Sequence, residues 1–493
     1  MNSRRIGTWL VGAIFLLHLL LSYWGVVAYG YPVAPGDDTA AHLALVEELK
    51  TAQKYWPTAG YPWGLHYIIA GLGKLFRIDP LTVTTFLSPA LLVGSALAIY
   101  FLAKRLFNGR VALITYGLYA LASLQPLQTA TDGGLPNVAA SGIALPLNLL
   151  CWVMLWRLRQ KWVPALGFLL TGALIVWLHH LSTIIWLAVL VLSGSILMLR
   201  SVILASGRRR LWLGAALIFG LIILGLLYEL TPLFGAARQL TQASLNLRDS
   251  ASPIWESIVY GQSLSGLVFQ FSVVGLATLI FSQRLGFKVD FSTKAVLLVW
   301  YLLYLIGSQL PFVLEPGRLA RDLAMPAAVL AAVGLGAAWH YLKEQIVLRR
   351  IFLLAIGLIF IFSAAVKAGK LTAYEPMARF TKEDTELLTQ ISGSSPVGIL
   401  DRASAWATIA RLYPHLPRNV IVFDKPEAFT GYLRQANNCG LVSQYAPHIW
   451  LPDSAAENYV DMTVRALGYS PAVALTEPNK TWYRFCPAGH PDF

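Results

Sequence analysis

Charge is the first thing this sequence lacks. Only 13% of its 493 residues are Asp, Glu, Lys or Arg, about half the share usual in a soluble domain, and that excludes a water-exposed globule of this length. Cysteine is nearly as scarce. Three in the whole chain exclude a disulfide-stapled scaffold and a cysteine-rich metal module. No internal repeat and no low-complexity segment stands out. What fills the sequence instead is apolar: 56% hydrophobic residues, with 16 Trp, 21 Tyr and 22 Phe, a composition that fits repeated membrane spans.

The charge that is present is unevenly placed. A net charge of +13 raises nucleic acid as a partner, but a polyanion-binding protein gathers its Lys and Arg on one soluble face. Here they fall in short clusters between apolar runs: Arg4 and Arg5; Lys104, Arg105 and Arg110; Arg157, Arg159 and Lys161; Arg200 and Arg208 to Arg210; Arg284, Lys288 and Lys294; Lys343, Arg349 and Arg350. Only Asp290 and Glu344 interrupt them with negative charge. This is the positive-inside pattern, so the clusters read as cytoplasmic loops, and nucleic acid is not a partner.

Apolar stretches of span length occur near 6–29, 81–104, 111–128, 138–156, 162–178, 182–203, 211–230, 258–282, 294–311, 323–342 and 350–366. The expectation is an all-α polytopic membrane protein of about 11 transmembrane helices, in the plasma membrane, with a cytoplasmic N-terminus and an extracytoplasmic C-terminus. The first run reads as an uncleaved anchor, although Val26-Val27-Ala28 loosely resembles a processing site. Residues 61–76 are too short and too rich in Pro and Gly for a span, and read as a helix lying at the outer surface. The transmembrane domain is expected over 1–366, with an outer loop at 30–80. Residues 367–493 read as a small C-terminal α/β extracytoplasmic domain, with strands at Val397 to Leu400 and Val420 to Phe423. Cys439 and Cys486 both fall there, where a disulfide would persist; Cys151 lies in a span. Asn479-Lys480-Thr481 is a weak glycosylation signal.

Nearly every unusual polar residue lands on the outer side of this map. Gly36-Asp37-Asp38-Thr39-Ala40-Ala41-His42 puts two carboxylates and an imidazole where a span surfaces. Ionisable groups at a membrane boundary are costly without a task. Asp38 and His42 stand four apart, so one helix face presents both to a metal or a proton-transfer partner. The bland alternative is that Asp37 and Asp38 cap the helix. Tyr61-Pro62-Trp63-Gly64-Leu65-His66 offers His66 to the site and Trp63 to an interfacial belt. His179-His180 reads as the turn between two spans, with His180 a further candidate, and Asp132 either binds substrate or makes a turn. Glu315-Pro316-Gly317-Arg318-Leu319-Ala320-Arg321-Asp322 sets two arginines on the outer side, against the trend of the basic loops. Arginine's planar fork suits a phosphate; ion pairing with Glu315 and Asp322 is the alternative.

Together, the Gly-Asp-Asp-x-x-x-His loop, the Tyr-Pro-Trp-Gly-Leu-His turn and the Glu-Pro-Gly-Arg stretch before a late span resemble the GT-C superfamily of membrane glycosyltransferases. The resemblance covers roughly residues 1–366. It implies a polyprenyl-phosphate-linked sugar donor used on the non-cytoplasmic face, with a glycan, lipid or protein as acceptor and membrane lipids around the spans. By the same resemblance Asp38 is the catalytic carboxylate, with Asp37 beside it, and Arg318 holds the lipid-linked phosphate with Arg321 as its neighbour. Glu315, His66, Asp132 and His180 complete the expected substrate-binding set. A divalent metal, Mn2+, Mg2+ or Zn2+, would take Asp38 and His42 as ligands. No Trp-Trp-Asp acceptor motif is present, which argues against a peptide acceptor of the oligosaccharyltransferase kind. The competing expectation is a lipid-linked-sugar flippase or transporter, which tends to carry its polar groups at mid-membrane.

Overall fold

The computed structural model describes residues 3–29, 63–122, 134–158, 161–205, 263–282, 289–308 and 316–372. It also describes His42, Leu43, Leu45, Val46 and Leu49, and the strand residues 397–400, 420–423, 440–445, 469–477 and 480–487. The span expected at 211–230, together with Asp37, Asp38, Asp132, Glu315 and Cys439, lies outside the described residues.

Helices dominate. In chain order they are α1 Ser3–Tyr29, α2 Gly64–Phe76, α3 Pro80–Leu106, α4 Gly109–Gly117, α5 Leu145–Arg157, α6 Trp162–Leu178 and α7 His180–Leu204. After them come α8 Ser263–Ile280, α9 Phe291–Gly307, α10 Pro316–Asp322, α11 Ala324–Tyr341 and α12 Ile346–Thr372. Among the described residues, four helical stretches are long and apolar enough to cross a membrane: Pro80–Leu106, Leu135–Arg157, His180–Leu204 and Leu319–Tyr341. Shorter apolar helices lie at Gly12–Trp24, Trp162–Leu178, Val268–Ile280 and Phe291–Gly307.

Local chemistry sets several of the boundaries. Asp79 caps α3, accepting from the Thr82 backbone N–H at 2.9 Å, with Pro80 at the first helical position. Asn108 caps α4 through the Arg110 and Val111 N–H groups at 2.9 and 3.0 Å, and Asp290 caps α9 through Thr293 at 2.9 Å. Each satisfies N–H groups that a helix start leaves open. Two stretches widen into π-helix, Leu118–Ala122 after α4 and Val138–Ala144 before α5. Such segments are rare and gather at functional sites.

Packing within the bundle relies on small residues, because lipid gives no hydrophobic reward for bringing two apolar helices together. Among the described helices, α8 and α11 cross closely. A Cβ on Gly275 would sit 1.7 Å from the Leu330 carbonyl oxygen, and one on Gly334 would sit 2.9 Å from the Gly275 nitrogen. Ala327, Ala328, Ala331 and Ala332 line the same buried stretch of α11. Trp300, Tyr301 and Tyr304 of α9 fill the core beside it, with the Tyr301 hydroxyl 2.8 Å from Ser272 Oγ of α8.

Side-chain contacts define two ends. At one, Arg157 at the close of α5 forms an ion pair with Asp290 at the start of α9, and Arg200 near the close of α7 lies over the Phe291 ring at 4.1 Å. At the other, residues from the starts of α7 and α11 meet those that precede α5. Leu135–Arg157 is a continuous helical stretch of 23 residues, roughly 34 Å at about 1.5 Å per residue, so the two groups of contacts stand a membrane's thickness apart.

The described strands of the tail form one five-stranded mixed sheet: β1 Val397–Leu400, β2 Val420–Phe423, β3 Gly440–Tyr445, β4 Tyr469–Glu477 and β5 Lys480–Pro487, in the order β2-β1-β3-β5-β4. β1 pairs in parallel with both β2 and β3, while β5 is antiparallel to β3 and β4. The two strands expected from sequence have the observed limits. A bulge between Val473 and Leu475 shifts the register of the last pair.

A polar end of the bundle as candidate active site

The short helix α2 brings the first imidazole pair together. His42, Leu43, Leu45, Val46 and Leu49 are helical, and His42 Nδ1 lies 3.1 Å from His66 Nε2 of α2. Both rings are inside the protein, His42 5% exposed and His66 0%. The Trp63 and His66 rings meet at a steep angle, 63° between planes and 5.8 Å between centroids. Its Nε1–H is buried without a hydrogen-bond partner, an open donor at this spot. Burial, followed by the neighbouring His42 ring, pushes the His66 pKa down to about 3; the Trp63 backbone, as a hydrogen-bond partner, works against that shift. His66 is therefore a neutral imidazole at physiological pH.

Glycine makes this docking work. A Cβ on Gly64 would lie 2.5 Å from the Trp177 carbonyl oxygen, so α2 meets the end of α6 backbone to backbone. Tyr67, one turn along, stacks on the Trp177 ring at 6.3 Å and 14°. Beneath them Val46, Leu65, Ile69, Val83, Leu135, Ala139, Ala140 and Leu178 form one buried cluster. Five chain segments thus share one small core. Arg77, at φ 57, ends α2 in the left-handed conformation that usually takes glycine, and the Ile78 N–H closes back on the Gly73 carbonyl at 3.0 Å.

A second polar group lies beside that cluster, and the sequence reading missed most of it. Asn137 donates from Nδ2 to the Asp322 carboxylate at 3.1 and 3.4 Å. Its Oδ1 faces Ser141 Oγ at 3.1 Å and Ser182 Oγ at 3.2 Å, and those two hydroxyls are 2.6 Å apart. Ser182 continues to His179 Nδ1 at 2.8 Å, while the Ser182 backbone N–H also points at that nitrogen, at 3.2 Å. A ring nitrogen that receives a backbone N–H carries no proton of its own. The His179 proton therefore sits on Nε2, and the Ser182 hydroxyl donates to Asn137 Oδ1. Asp322 is 6% exposed, and Asn137, Ser141, His179 and Ser182 are all buried. The Tyr119 and Tyr304 hydroxyls lie close enough to feel the Asp322 charge. Both π-helical stretches contribute, Tyr119 from the first and Ser141 from the second.

A buried carboxylate among apolar helices is expensive unless hydrogen-bonded, and Asp322 is held by an amide from a distant segment. In sequence it looked like a local partner for Arg318 or Arg321, yet its described hydrogen bonds go to Asn137. The available signal was an acidic residue abutting an apolar run, with Asn137 in Leu135-Pro136-Asn137 opening another. The expected break between two spans is a single extended residue: His179 separates α6 from α7 and caps the latter, and His180 already belongs to α7. Of the expected site residues, His42 and His66 are brought together and His180 lies next to the network, stacked on His179 at 5.8 Å. Arg318 and Arg321 sit on α10, which ends at Asp322. Among the described residues no group of three or more His, Cys, Asp or Glu converges as a metal centre.

No protein-family model matches this sequence, and no curated protein does. Solved structures do resemble it. ArnT from Cupriavidus metallidurans in the apo state aligns over 98% of this chain and 98% of its own, at 12% identity and a TM-score of 0.61. The archaeal oligosaccharyltransferase AglB from Archaeoglobus fulgidus, in complex with an inhibitory peptide and a dolichol-phosphate, aligns over 95% of this chain and 69% of its own, at 14% identity and TM-score 0.54. Arabinofuranosyltransferase AftD from Mycobacteria aligns over 99% of this chain and 40% of its own, at 13% identity and TM-score 0.50. ArnT has also been solved bound to undecaprenyl phosphate, and the Archaeoglobus enzyme in complex with Zn and sulfate. These neighbours are GT-C glycosyltransferases, and the chain shares their fold.

Proposed function

We propose that this chain is an integral membrane glycosyltransferase that moves a sugar from a polyprenyl-phosphate donor to an acceptor hydroxyl on the non-cytoplasmic face. The observation that carries the reading is the gathering of His42, His66, Asn137, His179, Ser182 and Asp322 at one end of an apolar bundle. Basic residues hold the opposite end. The GT-C fold agrees with it, and the lipid phosphates bound to ArnT and AglB point to the donor class.

In this reading the fold has eleven spans, with the sheet-bearing tail forming an extracytoplasmic α/β domain. Asp38, four residues before His42, removes the proton from the acceptor hydroxyl. The acceptor oxygen attacks the anomeric carbon, the carbon–oxygen bond to phosphate breaks, and the polyprenyl phosphate leaves. Direct displacement inverts the anomeric centre. Arg318 binds the phosphate and stabilises the charge that grows on it, Arg321 supports it, and Asp37, Asp132, Glu315 and His180 line the substrates. A divalent metal held by Asp38 and His42 would add positive charge near the leaving phosphate; the described donors suited to it are the two adjacent imidazoles.

Purified protein in lipid, supplied with a series of labelled polyprenyl-phosphate sugars and candidate acceptors, tests this. Transfer of label to an acceptor, lost on heat denaturation, supports the reading. Movement of the labelled lipid between leaflets with no transfer would replace it with a flippase.

A further inference from the structure

We infer that the corner of the basic end where α3 and α11 finish and α4 and α12 start is a binding site for the headgroup of an anionic phospholipid. This goes beyond the proposed transfer reaction and does not depend on it. Three observations carry it. First, four helix ends converge. A Cβ on Gly336 of α11 would lie 3.3 Å from a Val111 methyl carbon of α4, and one on Gly117 of α4 would lie 2.7 Å from the Phe360 ring of α12. α3 reaches α4 through the short turn Phe107-Asn108. Lys104 and Arg105 of α3, Arg110 of α4, and Arg349 and Arg350 of α12 therefore gather at one corner. Arg110 is one residue before Val111 and Trp339 is three past Gly336, so the two stand less than about one helical turn apart in height. The sequence supplies little to neutralise this charge: no acid occurs between Pro80 and Thr131, and only Glu344 between Leu323 and Tyr374.

Second, the central cation is held by a ring instead of by an acid. The Arg349 guanidinium lies over the Trp339 ring, 4.0 Å from its centroid, and Phe352 lies 6.5 Å from the same ring. An aromatic face fixes a guanidinium without using its N–H donors, which leaves the planar fork open to a phosphate. Among the described residues no carboxylate pairs with Arg110, Arg349 or Arg350, whereas Arg157, elsewhere at this end, is already taken by Asp290. Third, an apolar stripe continues from the cations. Arg350, Leu354, Leu358 and Ile361 recur at helical spacing on one face of α12, and the three apolar members are each more than half exposed. A Cβ on Gly357, beside them, would meet nothing within 4 Å among the described residues. A cation at the head of an open apolar stripe suits a ligand whose phosphate and acyl chain are joined, and anionic lipids collect at basic corners of this kind.

Full-length protein, delipidated in detergent, is offered phosphatidylglycerol or phosphatidylcholine, with or without soluble glycerol phosphate, and the bound lipid is counted by native mass spectrometry. The expected result is retention of phosphatidylglycerol over phosphatidylcholine, undiminished by glycerol phosphate. Arg349→Gln weakens that retention by about fivefold, and Trp339→Leu weakens it with no change of charge. Arg110→Gln, at an exposed position, repeats the loss without disturbing the Arg349 and Trp339 packing, so the inference stays open to refutation even where the other two variants fail to fold. Lys161→Gln removes an exposed cation at the start of α6, outside the corner, and leaves retention unchanged. Equal retention of the two lipids overturns the inference, as does displacement by glycerol phosphate, which would make the ligand a soluble anion. A loss in Lys161→Gln as large as in Arg349→Gln also overturns it, since total charge alone would then decide. Sugar transfer enters none of these readouts, so the failure of either reading leaves the other standing.

Discussion

The two ends of the bundle handle polar groups in opposite ways. At the basic end, charges sit at the rim and lean on aromatic or acidic neighbours: Arg157 on Asp290, Arg200 on Phe291, Lys104 over Tyr100 and Arg349 over Trp339. Arg157 and Asp290 remain 27% and 36% exposed. At the other end, seven of the described polar groups are buried, most of them neutral: His42, His66, Asn137, Ser141, His179, Ser182 and Asp322. Rim charges orient a membrane protein and cost little. Buried polar groups cost much more, and a bundle that keeps seven of them together at one end has a use for that end.

Substitutions sharpen the contrast, and the largest effect is expected where charge meets donor. Arg318→Ala should lower sugar transfer by on the order of 10²-fold, with the thermal midpoint unchanged; full activity would remove Arg318 from the donor site. Next comes Asp322→Ala, which strands the buried Asn137 amide and should cost about 1–3 kcal/mol in detergent unfolding, while Asp322→Asn restores most of it. Gly64→Ala forces α2 away from the Trp177 carbonyl and should cost about 1–3 kcal/mol. Activity should fall with it, since His66 moves on the same helix; an unchanged melting curve would mean that the close approach is not needed.

Acid supplies a fourth comparison. The unfolded His66 titrates near 6.5 and the folded one near 3. Between those values the unfolded chain therefore binds a proton that the native state does not. Its contribution is complete above about pH 6.5 and is lost as pH falls, by about 2 kcal/mol down to pH 5. His66→Gln should flatten that part of the stability curve. The smallest effect belongs to the basic end. Asp290→Asn keeps the helix cap and breaks only an ion pair about a third exposed, for less than about 1 kcal/mol and no change in transfer.

Much of the fold was legible because the periodicity of apolar runs and the punctuation between them are local. α6 occupies the interval expected for it, and α2 begins three residues inside the expected surface stretch. The tail strands Val397–Leu400 and Val420–Phe423 were likewise visible as short β-branched runs. The polar network was harder to read. A Ser or Asn inside a span looks like ordinary packing until another helix brings its partner; Asn137 and Asp322 are 185 positions apart. The π-helical stretches have no signature in a 3.6-residue repeat. His42 and His66 were both noticed, but only the structure placed one ring nitrogen against the other.

The most direct test compares wild-type protein with Asp38→Asn, both reconstituted in lipid with a labelled polyprenyl-phosphate sugar that the wild type uses. The account predicts that the variant stays folded, still binds the donor, and transfers sugar at least about 10²-fold more slowly. Transfer at the wild-type rate would contradict it.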